Sequence, residues 1–113
     1  MSYKLFIDDI RNVRMVYPEL TNNDFVIVRS YDAFIKYITE HGLPSFISFD
    51  NDLGEDDLYN LLPDGYACSK WLVYESGLDL RDLKFNVHSA NPVASKQISG
   101  LLNNYIEHSR KNL

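Results

Sequence analysis

The stretch Phe46-Ile47-Ser48-Phe49-Asp50-Asn51-Asp52-Leu53-Gly54 decides the predicted fold. In it an apolar run stops abruptly at two carboxylates, Asp50 and Asp52, and a glycine follows. Short apolar segments that are bounded by chain-breaking residues are typical of buried strands. The stretch therefore predicts a buried strand whose carboxyl end presents two acidic side chains.

Two other predicted strands end in polar side chains in the same way. Tyr3–Ile7 is followed by Asp8 and Asp9. Lys84–Val87 is followed by His88. If the strands are parallel, their carboxyl ends lie at one edge of the sheet, where ligands of open α/β sheets bind. The polar side chains are then expected to meet in one site.

Composition places the chain among ordinary single-domain proteins. Its 113 residues are 45% hydrophobic and 24% charged, which predicts one domain spanning residues 1–113 with a modest core. No apolar stretch is long enough to cross a bilayer, and the N-terminus enters a strand pattern rather than a signal peptide. A single cysteine, Cys68, excludes an internal disulfide. Together these features favour a cytoplasmic protein.

The charge balance limits the choice of partners. The formal net charge is -5 and the sequence has no basic run. This argues against binding to a long duplex nucleic acid, whose affinity comes mostly from phosphate neutralisation. A nucleotide or an RNA end remains compatible, because a cation bound among the acids would reverse the local charge.

The remaining elements follow from strand runs and helix caps. A strand is predicted over Phe25–Arg29, and Asn12–Asp24 before it is expected to be a loop with at most one short helical turn. Capping residues predict three helices: Tyr31–His41 after Ser30, Gly65–Ser76 after Asp64, and one that begins at Pro92 after Asn91. Alternating strands and helices predict an α/β fold with a parallel sheet and right-handed crossovers.

A divalent-cation site is the main chemical prediction. In a sheet ordered 2-1-3-4, the strand order reverses between the first and third strands, so Asp8, Asp9, Asp50 and Asp52 would meet there. Clustered carboxylates repel one another unless one is protonated or a cation holds them. An oxygen-rich ligand set favours Mg²⁺ or Mn²⁺ over zinc.

Nearby residues have candidate roles with open alternatives. Arg11 either binds a phosphate oxygen or neutralises the acids. His88 is either a general acid and base or a hydrogen-bonded orienting group. Ser89 would hydrogen-bond a phosphoryl oxygen, and the helix start at Asn91 would offer amide groups. The acidic segment 55–63 is either a lid over the site or a solvated loop.

Five motifs resemble those of a known family. LFIDDIR, VRSYDAF, FDNDLGE, DGYACSKWL and VHSANPVASKQI together resemble the cyclic-phosphate-processing branch of the receiver (CheY-like) superfamily, over nearly the whole chain. The resemblance implies a three-layer, flavodoxin-like fold with four parallel strands in the order 2-1-3-4. In receiver domains the acid pair and the third aspartate, here Asp8, Asp9 and Asp50, hold Mg²⁺. The third aspartate accepts the phosphoryl group, and the residue at Ser89 contacts it.

The chain also departs from this pattern. The ordinary receiver has a fifth strand that ends in a lysine, whereas this sequence shows no strand after the predicted helix that begins at Pro92. The helix after the first strand is also expected to be missing. The branch would carry a histidine at position 51, where this chain has Asn51.

The sequence thus leads to one principal function and one alternative. The principal expectation is metal-dependent, phosphoesterase-like processing of a cyclic phosphate on a nucleotide or RNA end, with Asp50 and His88 catalytic. Substrate-binding candidates are Arg11, Asn51, Ser89 and Asn91. The alternative is a noncatalytic receiver-like module that signals or binds a protein partner.

Overall fold

The computed structural model describes residues 2–51, 53, 64–89 and 91–111. These residues contain a sheet of four strands: β1 (Lys4–Ile7), β2 (Val26–Val28), β3 (Phe46–Phe49) and β4 (Lys84–Val87). All neighbouring strands are parallel and the order is β2-β1-β3-β4. The predicted α/β class, strand number and strand order are therefore confirmed.

The helices match their predicted positions with small differences. The described part contains α1 (Val13–Val16), α2 (Tyr31–His41), α3 (Gly65–Tyr74) and α4 (Pro92–Lys111), together with a 3₁₀ turn at Asn22–Asp24. The four-residue α1 is the single short helical turn expected within Asn12–Asp24, and the described residues contain no longer helix between β1 and β2. β2 is one residue shorter at each end than predicted.

Helix α3 ends two residues earlier than predicted. The carbonyl of Trp71 accepts the N–H of Glu75 in an α-helical bond, and it also accepts the N–H of Ser76 in a longer bond that closes the helix end. Gly77 then adopts a φ of 70°, a left-handed conformation that closes many helices. The predicted stop at Gly77 is thus confirmed, with Glu75 and Ser76 lying between the last helical residue and this glycine.

The strand register places the polar residues in one row. Ile7 pairs with Phe49, and Phe49 pairs with Val87. Main-chain hydrogen bonds continue one residue beyond each strand, because Asp50 N–H donates to the Ile7 carbonyl at 2.9 Å and His88 N–H donates to the Phe49 carbonyl at 2.8 Å. The sheet therefore fixes the main chain of its polar edge as firmly as that of its core.

The two faces of the sheet are covered differently. On one face, Leu5, Ile7, Ile47 and Phe49 belong to the main core, which also takes buried side chains from α2, α3 and α4. On the other face, Phe6 packs in a smaller cluster built from the segment between β1 and β2. Within the described residues, no helix is both long and apolar enough to cross a membrane.

The start of α3 lies very close to the end of β3. A Cβ atom added at Gly65 would lie 2.0 Å from the main-chain oxygen of Asp50, far inside van der Waals contact. Gly65 N–H also donates to the Asn51 carbonyl at 2.8 Å. Glycine is thus required here because the helix approaches the site's own backbone.

We predict that Gly65→Ala lowers the free energy of unfolding by about 2 kcal/mol or more, because the added methyl must displace the backbone at Asp50. Gly100→Ala is the matched control, since a Cβ at this helical position meets nothing within 4 Å. It should raise stability by roughly 0.5–1 kcal/mol through helix propensity. Urea denaturation measures both, and equal effects of the two substitutions would contradict the steric argument.

Candidate metal and phosphate site

Three carboxylates meet at the carboxyl edge of the sheet. Asp8, Asp9 and Asp50 each offer a carboxylate oxygen, and these oxygens all lie within 4.8 Å of one another. Asp8 is fully buried and Asp50 is 5% exposed. Asp52, the fourth predicted ligand, lies outside the described residues, as does the segment 54–63 that contains the predicted lid. The meeting of the acids from the first and third strands is as predicted.

Asp8 is a buried carboxylate that is hydrogen-bonded on both oxygens. Its Oδ1 accepts the N–H groups of Ile10 at 3.0 Å and Arg11 at 2.9 Å, and its Oδ2 lies 3.0 Å from His88 Nε2. Burial alone would raise the pKa of Asp8, but these hydrogen bonds and the histidine together hold it below the ordinary value. Asp8 is therefore ionised at neutral pH.

Asp50 is in the opposite electrostatic situation. Burial, followed by the negative charges of Asp8 and Asp9, raises its pKa from 3.8 to about 6, although Arg11 and the N–H group of Asn51 act in the other direction. The folded chain thus holds Asp50 at an electrostatic cost. A divalent cation that shared these carboxylates would remove that cost, so the donor set fits a hard cation.

Two arginines organise the turn after β1. Arg11 Nη1 donates to the carbonyl of His88 at 3.0 Å, while its Nε lies 3.8 Å from Asp8 Oδ2. Arg29 Nη1 donates to the main-chain carbonyls of both Asp8 and Arg11. Arg11 thus partly neutralises the acids and also remains a third exposed, so both of its predicted roles stay compatible with the structure.

His88 lies beneath the site rather than in it. Its side chain is 3% exposed, and Nδ1 and Nε2 are bonded to Ser48 Oγ at 2.6 Å and Asp8 Oδ2 at 3.0 Å. Its ring stacks on Phe6, with centroids 4.7 Å apart and planes 7° from parallel. Burial, which outweighs the effect of Asp8, holds the pKa of His88 below its ordinary value, so the ring is neutral at pH 7. This geometry is that of the orienting group predicted as one of its two roles.

A cavity of about 310 Å³ opens above the acids. Its lining comes from the segments that follow β1, β3 and β4: Asp9, Ile10, Arg11, Asp50, Asn51, Ser89 and Asn91. The structure thus brings together the predicted phosphate ligands and two of the predicted metal ligands. Its size is at the lower end of the range for small-ligand sites.

The cavity lining also offers hydrogen-bond donors. Asn51 Oδ1 accepts the N–H of Tyr66 at 3.3 Å, and its Nδ2 amide is of a type that can donate to a ligand. Ser89 Oγ accepts the N–H of Asn91 at 3.1 Å, and its hydroxyl can also donate. Asn91 Oδ1 caps α4 through Val93 N–H and Ala94 N–H, so these amides are satisfied by the cap rather than offered to a ligand as predicted. The donors of the cavity lining are therefore side chains.

Three residues of the site's support were not predicted. The sequence pattern places Arg29 at the end of a predicted strand, Ser48 within an apolar run, and Tyr17 in a predicted loop. Ser48 carried a signal, because a polar residue at the centre of a buried strand needs a hydrogen-bond partner. Tyr17 and Arg29 carried none, since their roles depend on contacts across the sheet.

Comparison with known proteins identifies a family. The model of the cyclic-phosphate processing receiver domain matches residues 3–104. No curated protein sequence matches the chain. Three solved chains match. One is described as a yeast Spc42 trimeric coiled coil fused to another structure, which covers 99% of this chain and 79% of its own at 16% identity and a TM-score of 0.56. This last likeness shows the fold alone.

The raised pKa of Asp50 gives a prediction about stability and pH. The folded state binds this proton more tightly than the unfolded state, so stability falls as pH rises from about 4 to about 6 and stays reduced above that. In the presence of EDTA, Asp50→Asn should therefore raise the free energy of unfolding at pH 8 by on the order of 1–3 kcal/mol. At pH 4.5, which lies between the unfolded and the folded pKa, this advantage should be clearly smaller.

Urea denaturation at pH 4.5 and pH 8 measures the difference. Asp82→Asn is the control, because it removes an exposed carboxylate just before β4, at the opposite edge of the sheet. It should change stability by less than about 0.5 kcal/mol at either pH. An Asp50→Asn protein that is no more stable than wild type at pH 8 would show that Asp50 is not destabilised by its neighbours.

Proposed function

The chain belongs to the family of cyclic-phosphate-processing receiver domains, and we propose that it hydrolyses a cyclic phosphate on a nucleotide or an RNA end with the help of Mg²⁺ or Mn²⁺. One observation carries this proposal: a single cavity is lined both by carboxylates and by side chains that can donate hydrogen bonds. A cation and a phosphate group require these two kinds of surface side by side.

The carboxylates assign the cation ligands. Asp8, Asp9 and Asp50 would hold the ion, and Asp52 is a fourth candidate from the sequence. When bound, a divalent cation at such a site polarises a phosphoryl oxygen and lowers the pKa of a bound water. Magnesium usually takes one or two carboxylates and leaves room for water and substrate phosphate, so three acids are sufficient.

Other residues of the cavity lining are the proposed phosphate ligands. The Arg11 guanidinium offers paired donors for two phosphate oxygens, and Ser89 offers a hydroxyl proton. The Nδ2 amides of Asn51 and Asn91 would bind the ribose or the remaining phosphate oxygen. The small cavity suits the terminal ribose phosphate, with the base and any preceding nucleotides outside it.

The proposed reaction is hydrolysis of one of two ester bonds. The oxygen of a water molecule bonds to phosphorus, one ester P–O bond breaks, and the departing oxygen takes a proton, which leaves a phosphomonoester. Asp50 is assigned the proton from water because its carboxylate lines the cavity. His88 does not line the cavity and contacts the acidic cluster through Asp8, so its proposed role is to orient that carboxylate.

The same geometry supports a second candidate, a receiver-like module that is phosphorylated and binds a protein partner. Asp50 lies beside two acids and lines a cavity with Ser89, as the phosphoryl-accepting aspartate of receiver domains does. Incubation with acetyl phosphate and Mg²⁺ distinguishes the two functions. A labile adduct of about 80 Da, which corresponds to one phosphoryl group, would favour the module if it is absent in Asp50→Asn and if cyclic phosphates are not turned over.

We predict that Asp50→Asn reduces Mg²⁺ and Mn²⁺ affinity at least about 10-fold and turnover of 2′,3′-cyclic nucleotides at least about 100-fold, because it removes a ligand and the assigned base. Calorimetry measures the first quantity, and chromatography of the phosphomonoester product measures the second. Asp82→Asn, which removes a carboxylate far from the cavity, should behave as wild type. Wild-type turnover by Asp50→Asn would refute the assignment.

A further inference from the structure

A continuous chain of hydrogen bonds runs from the surface of β4 to the acids. Asn86 Nδ2 lies 2.9 Å from the Tyr17 hydroxyl, which lies 2.7 Å from Ser48 Oγ. Ser48 Oγ lies 2.6 Å from His88 Nδ1, and His88 Nε2 lies 3.0 Å from Asp8 Oδ2. The chain joins β4, the loop after α1, β3 and β1. None of its outer three residues lines the cavity.

The chemistry of the two ends fixes the direction of every bond. Asp8 accepts two backbone N–H groups and is ionised, so His88 must present Nε2–H to it. The neutral ring then has a lone pair on Nδ1, and the Ser48 hydroxyl must donate to it. Since the Asn86 amide nitrogen can only donate, Tyr17 accepts from it and is left to donate to Ser48. All the donors therefore point toward Asp8.

Packing holds the members of the chain in place. Ser48 is fully buried in the middle of β3. The His88 ring is stacked on Phe6, and the Tyr17 ring is stacked on Phe25 with centroids 5.8 Å apart and planes 13° from parallel. These rings cannot turn without losing contacts, so the hydroxyl and imidazole positions are preset before any ligand arrives.

We infer that Tyr17 and Ser48 are positioning residues, which act through His88 to fix the orientation of the Asp8 carboxylate. Ser48 occupies Nδ1, and the imidazole therefore stays turned with Nε2–H on Asp8 Oδ2. Backbone N–H groups hold the other oxygen, so the whole carboxylate has one orientation relative to Asp9 and Asp50. The consequence for cation binding rests on the proposed function, whereas the orientation itself does not.

A purely structural role explains these residues less well. Ser48 lies between two apolar residues, Ile47 and Phe49, so β3 is otherwise a core strand. Alanine at position 48 would pack in this core without a buried hydroxyl that needs a partner. The Tyr17 ring already packs on Phe25, so its hydroxyl is not needed for packing. Partners of metal ligands commonly act in this way, through the orientation of the ligand.

Nuclear magnetic resonance tests the orientation directly. In wild-type protein at pH 7.5 with EDTA, long-range ¹H–¹⁵N spectra should show His88 as the Nε2–H tautomer. Ser48→Ala should shift the ¹⁵N resonance of Nδ1 toward that of a nitrogen without a hydrogen bond and change the carboxyl ¹³C resonance of Asp8. Tyr17→Phe, which keeps the ring, should produce smaller shifts in the same direction.

Two substitutions serve as matched controls. Ser69→Ala removes another fully buried hydroxyl, one that donates to the Tyr66 carbonyl, and Tyr3→Phe removes a phenol that donates to the Gly42 carbonyl. Both cost a hydrogen bond of similar kind, yet neither should move the His88 or Asp8 resonances. An Nδ1–H tautomer in wild type, or unchanged resonances in Ser48→Ala, would overturn the inference.

Cation affinity supplies the functional readout. Ser48→Ala should weaken Mn²⁺ binding about 10-fold, and Tyr17→Phe should weaken it less, whereas the two controls should bind as wild type does. If the Asp8 resonance shifts as expected but affinity is unchanged in both variants, the positioning role is refuted. If wild type binds no cation at all, the proposed function fails, and the resonances still decide whether the chain orients Asp8.

Discussion

The hydrogen bonds of the buried Asp8 carboxylate are the constraint on which the polar edge of this fold depends. An ionised group without solvent costs several kcal/mol unless every oxygen has partners. Oδ1 accepts hydrogen bonds from the main chain of the turn that follows β1, and Oδ2 is hydrogen-bonded to His88 at the end of β4. The Asp8 carbonyl also binds Arg29, which follows β2. Asp8 therefore connects the ends of β1 and β4 through its carboxylate and the end of β2 through its carbonyl, and β3 joins them through its register.

This arrangement separates the two buried acids in their proton affinity. Hydrogen bonds keep Asp8 ionised, while burial, followed by repulsion from Asp8 and Asp9, raises the pKa of Asp50. The folded state is consequently less stable above pH 6 than it would be with an uncharged side chain at position 50. A ligand that supplies positive charge stabilises it by mass action. Binding and stability are thus coupled through Asp50.

The fold and the position of the site could be predicted because strong local patterns determine them. Apolar runs that end in acids predict buried strands, and parallel strands bring their carboxyl ends together. Strand periodicity also indicates the face of the sheet on which His88 lies. Val87 faces the helices, so His88 must face the other way, toward Phe6 and Ser48 rather than into the main core. The structure of Asn12–Asp24 could not be predicted in detail from the sequence, because it depends on contacts across the sheet.

Among the described residues, the segment between β1 and β2 covers the second face of the sheet with only the short α1, a 3₁₀ turn and irregular chain. Ser48 and His88 are buried polar groups on that face, and an apolar helix would leave the Ser48 hydroxyl without a donor. A loop can place a single phenol at hydrogen-bond distance while its ring packs on Phe25. Tyr17 meets both requirements at once. The segment that sequence patterns describe least well is therefore the one that the buried chemistry of the site requires to be irregular.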